Sequence, residues 1–455
     1  MMLISMLSSD SFSPRALGLW GLVLLLGAGM LLPHSAQAQN APGAQGPYAL
    51  TNAQILVTPT DTVDRGTVVI RDDSIAAVGP NVSVPSDAET IDVGGQTVYP
   101  GFIDSGTHLG LQEVGSLPET QDFNEIGNLT SHMNALTAVN PSTVHVPTTR
   151  VHGITAVITE PETGMLPGTA ALIGLHGYTP EQMHLGGVTL TKLDFPSVGR
   201  QGPSDDRSPE TIEEESQEAL DKLNEVWDAA ERYATIDSAV AAQPEARRQP
   251  EYLPAMESLV PVVQGEQPLM ISANAAADIS AALDWAEERG VLDQVILGGA
   301  LEGWRVADEI ADANVPVLVG SIMQPPSRES DRYDKAYRTP ALLHEAGVPV
   351  ALRSGKTENV RNLVFHAGFA ASHGLGKTEA LRAVTTTPAD IFGVADQVGS
   401  IETGKRANLF VANGDPFQPA TDVQHLFIDG YKLPLENRQT RLYDEFLNRN
   451  PGLEK

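Results

Sequence analysis

The apolar positions of this chain change their period along its length. Between Tyr48 and Val98 they alternate with polar residues in short runs: Ala53–Val57, Gly66–Arg71, Ser74–Pro80 and Thr90–Val93. Asp72-Asp73 and Gly94-Gly95 sit where turns belong. A period of two is the signature of strands with one buried face, and it predicts a small antiparallel β unit. The same texture returns at Gly399–Lys405, Ala407–Ala412 and Val423–Gly430. Each cluster is too small to be stable alone. The two are therefore expected to combine, 47–97 with 396–435, into one β-sandwich built from both termini.

Between them, apolar runs bounded by turn residues alternate with stretches of helical period, the pattern of an α/β domain. Strand candidates are Thr97–Asp104, Ile154–Thr159, Ala170–Leu175, Val188–Leu190, Pro268–Ser272, Gln294–Gly298, Val315–Gly320 and Val348–Arg353. Eight parallel strands close a (β/α)8 TIM-like barrel, which predicts a barrel over 98–395. A helix with Asp278 as its cap carries Ile279, Ala282, Leu283 and Ala286 on one face, and Gly290 lies past its end. Further helices are expected from Gly303, Thr339 and Thr357. The acidic segment 201–262 departs from this rhythm. It reads as a helical insertion, with a helix over Pro209–Ala234 whose apolar stripe includes Leu220, Leu223 and Trp227.

The first residues follow another pattern. Arg15 precedes an apolar run from Ala16 to Leu32, and Ala36-Gln37-Ala38 offers a small-residue cleavage site. That layout, over 1–38, predicts a signal peptide and an exported protein, periplasmic or extracellular. No later segment is apolar enough to span a bilayer, so no membrane attachment is expected after cleavage. The 455 residues contain 58 acidic and 29 basic side chains, a net charge of −29 that repels nucleic acid. A host living in high salt accounts for such a surface through screening; an ordinary acidic exported protein is the plainer account. With no cysteine, disulfides, thiolate nucleophiles and Cys-bound metals are excluded.

The stretch with most chemical content is Tyr99-Pro100-Gly101-Phe102-Ile103-Asp104-Ser105-Gly106-Thr107-His108. It resembles the first barrel strand of the amidohydrolase superfamily, the imidazolonepropionase-like group in particular. The segments Thr386–Gly393 and Val398–Leu409, and Glu302-Gly303-Trp304, resemble that family further along in the same order. The resemblance implies a barrel with a β-sandwich. It also implies divalent metal on histidines ending strands 1, 5 and 6 and on an aspartate ending strand 8. At the matching positions this chain has Gly106 with His108, then Ser272, Gly299 and Gly355. Only His108 keeps the expected residue type, so no cofactor is expected.

Two functional readings follow. In the first, the metal-dependent reaction has been lost. The protein is then a pseudoenzyme that binds a small molecule, pairs with an active amidohydrolase, or forms a homo-oligomer. Glu113, Ser272, Asn274, Glu302, Arg353 and Lys356 would line its pocket, with an anion held on Arg353 or Lys356. In the alternative, it hydrolyses carbon–nitrogen bonds of amides or cyclic amides at an unusual site around His108, with Zn as the cofactor if metal is used. His132, His145 and His152 with Asp122 match no metal-ligand spacing. Nothing around Lys192 resembles a carbamylated lysine, and Gly164–Gly168 reads as a plain loop without the lysine of a phosphate cradle.

Overall fold

The computed structural model describes residues 43–200, 205–243 and 250–449; the leader at 1–38 and parts of 201–262 lie outside them. Gly101 separates two β systems. A Cβ there would lie 2.1 Å from Thr155 Oγ1, so only glycine lets the backbone pass at this point. The single strand expected at Thr97–Asp104 is accordingly two. Thr97–Pro100 stays in the terminal sheet, and Phe102–Thr107 opens the barrel.

The terminal sheet has nine strands in one hydrogen-bonded system that folds over on itself, so that Tyr48 and Phe427, three strands apart, meet edge-on with ring centroids 5.2 Å apart. Leu409–Ala412 joins it between Thr97–Pro100 and Val423–Ile428, antiparallel to both. Tyr48–Thr58 takes Glu89–Asp92 and Thr97–Pro100 as parallel neighbours, so the expected all-antiparallel unit is mixed. Leu50, Ile55, Val68, Ile70, Val98, Leu409 and Phe427 form its core. Gly399–Lys405 is a loop instead of a strand. Its amides bond singly, Ile401 N–H to Val57 O and Gly404 N–H to Ile75 O, while Ile401 is buried in that core.

The barrel strands are β1 Phe102–Thr107, β2 Ile154–Thr159, β3 Gly168–Gly174, β4 Leu190–Asp194, β5 Leu269–Ala273, β6 Val295–Gly299, β7 Val317–Val319 and β8 Val350–Leu352. They are neighbours in chain order, and a parallel bridge from Thr107 to Gly355 brings β8 back to β1. The eight are not all parallel: β3 runs antiparallel to β2 and to β4. The reason is the β2–β3 link, 160–167, which is too short for the crossover that a parallel pair needs. Ile103, Ile158, Leu172, Leu190, Met270, Ile296 and Leu318 fill the interior.

Three helices matter below: α1 His145–Arg150, α2 Pro209–Ala242 and α3 Ala276–Glu288. Helix α2 lies in the crossover between β4 and β5, so 201–262 is not an insertion but the connection itself. Ser208 caps it, accepting from Thr211 N–H, and Leu223, Val226, Trp227 and Ala230 are buried. Trp227 meets Trp285 of α3 edge-on, with ring centroids 4.9 Å apart. Asp278 is the third residue of α3, not its cap, and accepts from Val198 N–H at 2.8 Å. Among the described residues no helix is long and apolar enough to cross a membrane.

Candidate functional site

Side chains two positions apart on a strand share a face. The inward positions just above the apolar filling are therefore Glu160 after Ile158, Lys192 after Leu190, Ser272 after Met270, Gly298 after Ile296, Gly320 after Leu318 and Arg353 after Ala351. Arg353 fills the room that the glycines leave. A Cβ on Gly106 would lie 2.7 Å from its Cζ, one on Gly298 3.2 Å from Nη1, and one on Gly320 2.8 Å from Cγ. Its Nη2 donates to Glu160 Oε1, and both residues are buried. Lys192 Nζ stands 3.8 Å from the same carboxylate and 3.5 Å from Asp194 Oδ1, and it donates to Pro161 O at 3.0 Å.

Two cations and two carboxylates thus cancel at the carboxyl end of the barrel. Burial pushes the Glu160 carboxyl up, but Arg353, Lys192 and His108 outweigh it and hold it below its ordinary value. Asp194 keeps a raised pKa from burial despite Lys192. Outside the barrel wall, Asp104 Oδ1 accepts from Gly106 N–H at 3.1 Å and Ser354 N–H at 3.0 Å, tying β1 to the β8 end. It is fully enclosed, and burial pushes it up to about 6.

His108 is buried beside this layer. Its Nδ1 is 2.9 Å from Glu160 O and its Nε2 3.0 Å from Glu162 Oε2, while its ring stacks on Phe123 at 4.4 Å. Both nitrogens face acceptor oxygens, so neither offers a free lone pair to a substrate proton. The hydrogen bond from His108 holds Glu162 down at about 2.

An open groove of about 1080 Å³ lies to one side of the mouth, lined by Ser272, Asn274 and Glu302 together with Phe195, Arg200 and Arg328. Glu302 is buried and braced: Arg328 donates to it twice at 2.7 Å, and Ala276 N–H, at the start of α3, at 3.1 Å. Burial raises its pKa, but these donors leave it lowered. The other three residues expected in the pocket are elsewhere. Glu113 accepts from Asn140 Nδ2 at 2.9 Å on the first loop, and Lys356 is exposed. Arg353 points into the barrel end and pairs with Glu160 through Nη2. The three other candidate histidines do not converge: His145 bonds to Glu113 O, His152 to Thr148 O, and His132 is exposed.

The chain matches the Amidohydrolase family over residues 328–433. It is 26% identical over 389 residues to the imidazolonepropionase of Geobacillus kaustophilus, covering 77% of this chain and 84% of that protein. A solved amidohydrolase from Thermotoga maritima superposes with a TM-score of 0.72 at 24% identity, covering 85% of this chain and 99% of that one. Together these likenesses support an amidohydrolase superfamily member. Its fold is accordingly a TIM-like barrel with a second β domain. It is also 22% identical over 404 residues to the amidohydrolase tasK of Hapsidospora irregularis, but spans only 39% of that protein's length.

The divalent metal implied for an amidohydrolase does not fit the residues present here. The positions named for its ligands are closed as well as unsubstituted. A side chain on Gly106 collides with Arg353. One on Gly299 would bring its Cβ to 2.4 Å from Asn274 Oδ1, on a backbone with φ of +92°. Gly355 also has a left-handed φ, +84°. Among the described residues no three His, Asp or Glu side chains are grouped to hold a metal ion. A guanidinium at the axis would further repel a dication by several kcal/mol at ~4 Å, even at an effective dielectric constant of ~20.

Proposed function

We propose that this is an exported amidohydrolase-fold protein in which an internal ion layer has replaced the metal centre. It acts as a pseudoenzyme: a small-molecule receptor at the groove, or the companion of an active amidohydrolase or of a second copy. The observation that carries this reading is Arg353, seated against Gly106, Gly298 and Gly320 and paired with Glu160. An organic cation on a tether does the electrostatic work of an ion there, holding a buried carboxylate between strands, but it has no exchangeable site for water. The groove beside it retains the size and mixed polarity of a small-molecule site.

The second reading, hydrolysis of carbon–nitrogen bonds, draws on the enzyme names borne by the relatives and on His108, the one family histidine retained. Two measurements on the purified mature protein separate them. Elemental analysis after incubation with Zn²⁺, Mn²⁺ and Fe²⁺ and desalting is expected to find well under one ion per chain. Turnover of an amide and cyclic-amide panel is expected to be indistinguishable between the natural protein and His108→Ala. One or two ions per chain, or turnover abolished by His108→Ala, would reverse the assignment. N-terminal sequencing of the mature protein, expected to begin after Ala38, tests export.

A further inference from the structure

On the opposite side of the barrel from the groove, α1 ends at Arg150, just before the amino end of β2. Arg150 is among the largest fully buried side chains, with 1% of its surface exposed. Its guanidinium makes a single long hydrogen bond, Nη1 to Leu175 O at 3.5 Å, and Nε has no partner. Among the described residues no carboxylate is paired with it. The contrast with Arg353, which has Glu160, is sharp. Scarcity of acid is no explanation, since the chain holds 58 carboxylates against 29 basic side chains. A buried cation without a counter-charge is costly, and arginine cannot escape the cost by losing its proton.

A second donor stands beside it. His176 is half-buried two residues after the end of β3, its ring 4.5 Å from that of Tyr431 in the terminal sheet. Its ring nitrogens make no hydrogen bond among the described residues. Arg150 Nη1 bonds to the carbonyl of Leu175, the residue before His176, which brings the two side chains together, and burial with the nearby Arg150 lowers the His176 pKa to about 4. Arg150 and His176 therefore meet at this seam between barrel and sheet with no carboxylate paired to either among the described residues.

We propose that Arg150 and His176 form a binding site for a small monovalent anion of halide size. The Arg150 guanidinium and a His176 ring N–H donate to it, and its charge balances the guanidinium. The enclosure of Arg150 restricts the occupant to one or a few atoms, and the partly open His176, beside exposed Tyr178, gives the way in. The bound anion joins β2 and β3 to the Tyr431 strand. This inference rests on nothing in the groove or the ion layer.

The test uses bromide as the probe. In crystals of the full mature chain grown in NaBr, an anomalous bromine peak is expected within hydrogen-bonding range of the Arg150 guanidinium and His176. Bromide peaks elsewhere on the molecule, with none at Arg150, would overturn the proposal. A parallel crystal in sodium formate distinguishes a halide site from one that also takes a carboxylate. In solution, exchanging gluconate for bromide at constant ionic strength should raise the melting temperature of the natural protein by several degrees and then saturate, as linkage requires. Arg150→Met should abolish that rise. An equal rise in both proteins would refute a site at Arg150. Should Arg150→Met not fold, the anomalous experiment on the natural chain decides alone.

Discussion

Replacing Arg353 with methionine keeps most of the side chain's length and removes its charge, leaving Glu160 in place at 1% exposure. Removing one partner of a buried pair costs about 3–5 kcal/mol, because the other charge stays buried and unpaired. Lys192, 3.8 Å from Glu160, remains as a partial partner, which places the expected loss at the lower end, about 3 kcal/mol. In Arg353→Met/Glu160→Gln the orphaned charge is gone and Lys192 keeps Asp194. The combined cost is then expected to fall to about 1 kcal/mol, since replacing both members of a buried pair is often close to neutral. The assay is equilibrium unfolding in urea at pH 7 for the natural protein, both single variants and the double. Guanidinium chloride is unsuitable, since guanidinium itself can occupy the space Arg353 leaves. A coupling free energy of about 2 kcal/mol or more is expected from the cycle, and one under about 0.5 kcal/mol would refute the view that these charges hold the barrel end together.

Three further outcomes are expected. Gly106→His, which restores the family residue type, drives a side chain into the Arg353 guanidinium and should lower stability by about 1–3 kcal/mol without raising metal content; a stable, metal-loaded variant would contradict the packing. Asp104 is raised to about 6, above its unfolded value, so its contribution is fully present below pH ~4 and is lost as pH rises through ~6. Asp104→Asn should flatten the stability–pH curve in that window and gain up to roughly 2–3 kcal/mol at pH 7, measured by urea midpoints from pH 4 to 8. Trp227→Ala removes a fully buried ring from the contact between α2 and α3 and should cost about 3–5 kcal/mol in the same assay; a loss below 1 kcal/mol would mean α2 packs only loosely on the barrel.

Much of the architecture is legible in the sequence, because seven barrel strands announce themselves by apolar runs and the terminal strands by alternation. The polarity of β3 is not legible from its own residues. It is set by the short link 160–167, whose length carries the information that the apolar run Ala170–Leu175 lacks. The length of α2, and its role as a crossover, are obscured by its many Glu and Asp residues; the buried stripe through Leu223, Trp227 and Ala230 carries the relevant signal. At the site, strand-end register brings Ser272 and Arg353 to inward positions and Asn274 to the groove. Glu160 and Lys192 follow the same alternation, two residues beyond Ile158 and Leu190. Their significance appears only with Arg353 facing them, and pairing across a barrel is not encoded within any one strand. Glu162 and Asp194 share that difficulty. Lys356 shows the limit of register, since one turn beyond the strand end a side chain already faces solvent.

The seam of the terminal sheet constrains the order in which this molecule assembles. Leu409 pairs with Pro100, and Ala44–Gln45 lies against Tyr431–Leu433, so strands from the two ends of the chain interleave with the whole barrel looped out between them. A chain emerging from a ribosome or a translocation pore presents Tyr48–Thr58 and Thr97–Pro100 long before their antiparallel partner exists. Until Leu409–Ala412 arrives, Val98 and Tyr99 stand on an open β edge, a template for pairing with another chain. Closing so long a loop is slow more than it is costly, because closure entropy grows only with the logarithm of length. The vulnerable interval is therefore one of time, and a chain stalled or cut ahead of residue 409 would leave that edge permanently unclasped.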